Sequence, residues 1–109
     1  MKHRPERVSS LIKQILSLIL LKEVEIDSVL ITLTDVEIKN KDLQLAKVKV
    51  SVIPTGRSKD VLKLLKSRQG YLQHLLNEKM NIKPMPRIEF EIDYGMEKAA
   101  GVEKALMEK

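Results

Sequence analysis

The side chains that could carry catalysis are few in this sequence, and their spacing favours structure over chemistry. His74 and Glu78 stand four residues apart in a helical pattern, which is typical of an ion pair on a helix surface. The other histidine, His3, lies close to the N-terminus, and cysteine is absent, which excludes disulfides and thiolate chemistry. No histidines and carboxylates cluster at metal-ligand spacing, and the loop Pro54–Ser58 lacks the lysine spacing of a phosphate-binding loop. We therefore expect a protein that is not an enzyme and needs no metal or cofactor.

Three carboxylates near the C-terminal end, Glu89, Glu91 and Asp93, alternate with apolar residues. Because successive side chains of a strand point to opposite faces, this alternation places all three on one face. Paired carboxylates can serve as acid and base in hydrolysis. A solvent-facing row is the simpler interpretation, with Lys47 and Lys49 of a neighbouring strand as ion-pair partners.

The net charge of +5 is distributed unevenly along the 109 residues. Residues 1–22 carry five basic and one acidic side chains, and residues 54–87 carry eight and two, whereas residues 23–53 and 88–109 are net acidic. A segregated basic surface favours a polyanionic partner, with RNA or DNA first and anionic lipid second, because binding releases condensed counterions. The alternative is a basic surface that serves solubility alone.

Arg4–Lys22 is the first predicted helix, since apolar residues recur in it at intervals of three and four. Leu16, Leu20 and Leu21 widen the apolar stripe, so we expect deep burial towards the C-terminal end. The apolar run Ile15–Leu21 is far shorter than the roughly 20 residues of a transmembrane helix. No small-residue cleavage site follows it. We expect no membrane span and a cytoplasmic protein, which also fits the absence of cysteine.

Three segments alternate as strands do. Val24–Ile38 changes phase at Thr34-Asp35, which predicts a bulge or a strand break. Ala46–Val52 alternates strictly and should form an antiparallel hairpin with it. The third strand, Ile88–Tyr94, follows a helical region, so a right-handed crossover should join it to the second. The order of elements predicts an α+β fold with helices on one face of a three-stranded sheet.

Two helical runs, Val61–Lys66 and Tyr71–Met80, separate the second and third strands, and Ser58 is the expected N-cap of the first. Gly70 lies between them and predicts a bend, because glycine inside a helix costs about 1 kcal/mol relative to alanine. Base stacking is not expected, since Phe90 falls in the apolar phase of its strand. Tyr71, next to Gly70, is the one aromatic placed within reach of a nucleic acid, but core packing is its expected role. The mode of binding that we expect instead is recognition of a nucleic-acid backbone by lysine and arginine.

Several short motifs, taken in order, resemble the ribosome-binding factor A family along nearly the whole chain. The matching stretches are Arg4–Val8, Thr32–Val36, Asp42-Leu43 with Ala46–Val52, Gly70 as a helix-kink glycine, and Pro86–Asp93 as the closing P-x-(L/I)-x-F-x-x-D.

The resemblance implies a single-domain type II KH-like fold, α-β-β-α-kink-α-β, in which an Ala-x-Gly kink replaces the usual GxxG loop. We expect residues 1–95 to form the RNA-binding domain. Residues 96–109 have mixed helical propensity, so we expect a tail that is weakly helical or disordered. The resemblance also implies binding to the 30S subunit and 16S rRNA during late maturation, with roles in 16S rRNA processing and cold adaptation. This sequence departs from the family at Arg68, Gln73 and Lys83, where the family has alanine, arginine and arginine.

The candidate RNA contacts are the basic residues of the helical segments together with the kink glycine. They are Lys2, Arg4, Arg7, Lys13, Lys59, Lys63, Lys66, Arg68, Gly70, Lys79, Lys83 and Arg87. We expect a monomeric, non-catalytic assembly factor whose partners are 16S rRNA and the 30S subunit. The alternative is a general nucleic-acid or protein-interaction module of the same fold.

Overall fold

Residues 5–39, 44–82 and 85–95, which the computed structural model describes, form three α-helices, three β-strands and one 3₁₀ turn. In chain order they are α1 (Pro5–Glu23), β1 (Leu30–Ile38), β2 (Leu45–Ile53), the 3₁₀ turn (Thr55–Arg57), α2 (Ser58–Ser67), α3 (Gln69–Lys79) and β3 (Arg87–Ile92). The predicted tail, 96–109, lies outside the described residues. No helix in the described part of the chain is long and apolar enough to cross a membrane.

The sheet has the order β1-β2-β3, with β1 antiparallel and β3 parallel to the central strand. The predicted hairpin is confirmed, and the predicted irregularity is a register shift between Leu33 and Asp35. The parallel pairing of β3 follows from the chain path, because the two helices return the chain to the end of the sheet where β2 began.

The core lies between the sheet and the helices. Strict alternation buries Ala46, Val48, Val50 and Val52 of β2, each at most 2% exposed, against the helices. The helix α1 packs on β1, α2 on β2 and β3, and α3 on β3 and α1. The three helices therefore cover one face of a three-stranded sheet, which confirms the predicted α+β class.

The helix α1 buries a narrower stripe than the sequence predicts. Leu16 and Leu20 are buried as expected, but Leu21 is 70% and Leu18 64% exposed. Since consecutive helical residues point about 100° apart, a helix resting on one sheet cannot bury Leu20 and Leu21 equally. The expected deep burial of Leu21 is therefore wrong.

The break between α2 and α3 falls at Arg68, two residues before the position predicted from the sequence. Arg68 has φ −103° and ψ 6°, and its amide donates to Leu64 O at 3.1 Å and Leu65 O at 3.2 Å. Gly70 lies in the first turn of α3 and has no positive φ. The bend therefore does not depend on glycine's backbone freedom.

Ser58 is the first residue of α2, and the expected N-cap hydrogen bond is absent there. A 3₁₀ turn precedes the helix, in which the Arg57 amide donates to Pro54 O at 3.0 Å. Because this turn already curls the backbone, Arg57 occupies the capping position and Ser58 turns inward. Ser58 is 3% exposed, and its Oγ has no hydrogen-bond partner in the described structure. The predicted cap is wrong.

Candidate nucleic-acid interface

Three lysines share one flank of α2. Lys59, Lys63 and Lys66 follow one another at intervals of four and three, so their side chains leave the helix on the same side. Val61 and Leu65, both fully buried, lie on the opposite side of the helix, which packs against the sheet. All three lysines are exposed, and none has a carboxylate within 4 Å among residues 5–39, 44–82 and 85–95.

The cations of the other helices are exposed but more dispersed. Arg7 and Lys13 of α1 are six residues apart, which places them about 120° apart around the helix. Lys79 is exposed in the last turn of α3, where a cation is favourable to the helix dipole. Lys2, Arg4 and Lys83 lie outside the described residues.

A shallow open groove of about 470 Å³ lies where the α2–α3 junction meets β3. Its walls bring together three of the predicted contacts from three different elements. They are Lys66 of α2, Gly70 of α3 and Arg87 of β3. Gln69, Gln73 and Glu89 complete the lining. A Cβ added at Gly70 would meet nothing within 4 Å, so the backbone of α3 faces open space at this point.

Gln73 holds α3 to the start of β3. Its Nε2 donates to Pro86 O at 3.1 Å, and its Oε1 accepts the Ile88 amide at 2.7 Å. Glutamine can satisfy both groups because its amide donates and accepts at one end. This structural role, at a position where the resemblance implies arginine, is not visible in the sequence pattern.

Glu89 is the anion of the groove, and cations surround it. Lys47 Nζ lies 2.6 Å from its Oε1, and Arg87 Nη2 lies 3.7 Å from its Oε2. The Lys47 hydrogen bond and charge, followed by the charges of Arg87 and Lys66, hold the pKa of Glu89 below its ordinary value. The same pair raises the pKa of Lys47. Glu89 is therefore neutralised from the sheet side, and Lys66 and Arg87 leave the groove cationic.

Arg68 and Tyr71 both bind Glu23, the last residue of α1. Arg68 Nη1 donates to Glu23 O at 2.8 Å, a helix C-terminal carbonyl that has no partner within its own helix. The Tyr71 hydroxyl donates to Glu23 Oε1 at 3.0 Å, and this bond raises the pKa of Tyr71. Because Glu23 holds the ring at the surface, Tyr71 is 51% exposed, and the expected core packing is wrong.

The pairs that the sequence suggested as chemistry are structural. His74 Nε2 lies 2.6 Å from Glu78 Oε1 on the exposed face of α3, which confirms the predicted helix-surface pair. Lys47 and Glu89 confirm the predicted ion pairing across the sheet. Within the described ranges, no three histidines, aspartates or glutamates are grouped so that they could hold a metal ion.

The sequence profile of ribosome-binding factor A matches residues 4–106. This chain belongs to the ribosome-binding factor A family. A ribosome-binding factor A of Coxiella burnetii is 42% identical over 101 residues, covering 91% of this chain and 83% of the relative. That of Caldanaerobacter subterraneus subsp. tengcongensis is 32% identical over 111 residues, covering 99% and 90%.

The fold agrees with a solved member of the family. The crystal structure of ribosome-binding factor A from Thermus thermophilus superposes with a TM-score of 0.68 at 20% identity. The match covers 83% of this chain and 97% of that one. It confirms the α+β architecture, and the order of elements agrees with the KH-like order that the motifs imply. Membership of the family gives this chain a ribosome-associated function.

Proposed function

We propose that this protein is a non-catalytic assembly factor that binds the free 30S subunit and its 16S rRNA late in maturation, and so supports 16S rRNA processing and growth in the cold. We place RNA binding in residues 1–95, acting as a cytoplasmic monomer. The observation that carries the proposal is the row of three exposed lysines on α2, which leads into a cationic groove at the α2–α3 junction.

The α2 lysines suit contact with an RNA backbone. Each is a compact charge on a flexible stem, and no carboxylate in the described part of the chain lies within 4 Å of Lys59, Lys63 or Lys66. Phosphates that bind them would displace condensed counterions, so affinity should fall steeply as salt rises.

The groove allows an RNA backbone to approach the protein closely. Lys66 and Arg87 contribute positive charge to its walls, and Gly70 contributes a backbone without a side chain. A sugar–phosphate chain crossing Gly70 would place a phosphate between the two cations without meeting a Cβ. Arginine adds a planar fork that can bind phosphate through two N–H groups.

Charge reversal tests the proposal. The double variant Lys63→Glu/Lys66→Glu should lower 30S co-sedimentation on the order of tenfold or more. A single neutral substitution at either lysine should reduce the slope of log affinity against log salt by about one. The matched control, Lys39→Glu/Lys49→Glu on the sheet side, makes the same change in net charge and should bind nearly as the parent does. Equal 30S binding by all three proteins would overturn the proposal.

A general nucleic-acid module remains the second candidate, because phosphate contacts alone carry no sequence information. Competition separates the two. An assembly factor should stay on 30S particles in the presence of excess bulk DNA at physiological salt, whereas a general binder would transfer to the DNA.

A further inference from the structure

Tyr71 is a large aromatic side chain at the surface of the basic helical layer. It is 51% exposed and lies one residue after the groove glycine. A tyrosine of that exposure gains little from core packing, so its ring remains available to a partner.

The ring of Tyr71 is held in place through its hydroxyl group. Its hydroxyl donates to Glu23 Oε1 at 3.0 Å, and Glu23 itself is fixed as the last residue of α1. Arg68 Nη1 also binds Glu23, through the backbone oxygen at 2.8 Å, so Arg68 and Tyr71 lie beside each other on one anchor. Anchoring through the hydroxyl orders the ring without using its faces. Such an ordered ring loses little conformational entropy when a partner stacks on it.

Two other planar side chains lie next to Tyr71 on the helix surface. The Leu72 amide donates to Arg68 O at 2.9 Å, so helical periodicity extends back to Arg68. Arg68, Tyr71 and His74 therefore follow one another at intervals of three, and all are exposed. Arg68 and His74 each lie about 60° around the helix from Tyr71, on opposite sides of it. Guanidinium, phenol and imidazole are among the side-chain groups on which unpaired bases stack.

The two nearby carboxylates are each bound to a side chain of this row. Glu23 accepts the Tyr71 hydroxyl, and Glu78 is paired with His74 at 2.6 Å. Both carboxylates therefore have a partner within the row, and Arg68 adds a positive charge beside Glu23.

We propose that Tyr71 is a stacking platform for an unpaired RNA base, with Arg68 and His74 on either side. This inference rests on the RNA-binding function proposed above, which itself needs only phosphate contacts. It adds that the RNA at this face is single-stranded and that its bases, not only its backbone, are bound.

The chain offers a direct spectroscopic test, since it has two tyrosines and no tryptophan. In the Tyr94→Phe variant, Tyr71 is the only tyrosine. Single-stranded octa-adenylate should quench its fluorescence, whereas an abasic octamer with the same backbone and an RNA duplex should not. Equal quenching by the octa-adenylate and the abasic strand, or no quenching by octa-adenylate, overturns the inference.

Affinity for 30S particles provides the second arm. Tyr71→Leu keeps an apolar side chain but removes the π face, and should weaken 30S binding by about 5- to 100-fold. Tyr71→Phe keeps the face and loses only the bond to Glu23, so it should weaken binding less than Tyr71→Leu does, by about 2- to 12-fold, which corresponds to the cost of about 0.5–1.5 kcal/mol for ordering a free ring. If Tyr71→Leu binds as the parent does while Lys63→Glu/Lys66→Glu does not, the stacking inference fails and the proposed function stands. If the parent itself shows no 30S binding, the proposed function fails.

Discussion

The two broad surfaces of the domain use lysine differently. On the open face of the sheet, Lys47 lies 2.6 Å from Glu89, and at its margin Lys39 lies 2.5 Å from Glu37. On the helical layer, the flank formed by Lys59, Lys63 and Lys66 has no carboxylate within 4 Å in the described ranges. Composition alone would count these lysines as equivalent.

The difference shows where a polyanion can be bound. A lysine already paired with a carboxylate must lose that partner before it gains a phosphate, whereas an exposed lysine with no such partner loses only water and counterions. Lys39 and Lys47 on the sheet side are each paired with a carboxylate, whereas none of the three lysines on the α2 flank is paired with one in the described ranges.

Substitutions on the two sides of α2 should have different effects: those on the buried side should lower stability, and those on the exposed flank should lower 30S affinity. Leu65 is fully buried, so Leu65→Ala should lower the free energy of unfolding by about 2–5 kcal/mol in urea titrations. Lys63→Ala on the exposed flank should leave unfolding nearly unchanged while reducing 30S affinity. A loss of stability in Lys63→Ala comparable to that in Leu65→Ala would show that the lysine flank belongs to the packing of the fold.

The attachment of α3 to the start of β3 depends on hydrogen bonds of Gln73. Gln73→Ala leaves the buried Ile88 amide and the Pro86 carbonyl without their side-chain partner, which should cost about 1–3 kcal/mol. The control, Gln14→Ala, removes an exposed glutamine of α1 and should change stability little. Similar urea midpoints for the two variants would mean that the hydrogen bonds of Gln73 are replaced by water without loss.

Gly70 should show opposite effects on stability and binding. Alanine at this helical position has room for its methyl group and should stabilise the protein by about 0.5–1 kcal/mol. The methyl group would also enter the groove, and 30S affinity should fall severalfold. The control, Gly56→Ala, has equal room but lies in the 3₁₀ turn, away from the groove. Unchanged affinity in Gly70→Ala would exclude the groove from the interface.

The smallest effect concerns the internal bonding of the sheet side. Asp93 accepts the Gly95 amide at 2.9 Å and the Thr34 hydroxyl at 2.8 Å, and these bonds lower its pKa. A lowered folded-state pKa means that this contribution to stability is present above the ordinary carboxyl pKa. It is lost as pH falls through the folded-state value. In a carboxyl NMR titration, Thr34→Val should raise the pKa of Asp93, and the control Thr32→Val should not.

Much of the sheet could be predicted because its pattern is local. A period of two identified each buried residue of β2, and the change of phase at Thr34-Asp35 identified the irregularity in β1. The exposed flank of α2 follows from helical spacing in the same way. These features need only the alternation of apolar and polar residues along one segment.

The parts that could not be predicted depend on contacts between distant segments. Arg68 and Tyr71 both bind Glu23, which is 45 and 48 positions away in the chain, so neither contact is visible in the local pattern. The groove exists because β3 is placed next to the α2–α3 junction, a placement that Gln73 helps to hold. No pattern within a single helix carries that information.

The pairing of β3 also constrains how this domain is made during translation. Ile88 and Phe90 complete the core, and the strand is bound to β2 from the Arg87 amide on Gln44 O to the Asp93 amide on Val50 O. Until that strand has left the exit tunnel, one edge of the central strand stays open and the apolar residues beneath it stay uncovered. The nascent domain therefore completes its fold only after β3 has emerged, and the basic groove that β3 closes forms last.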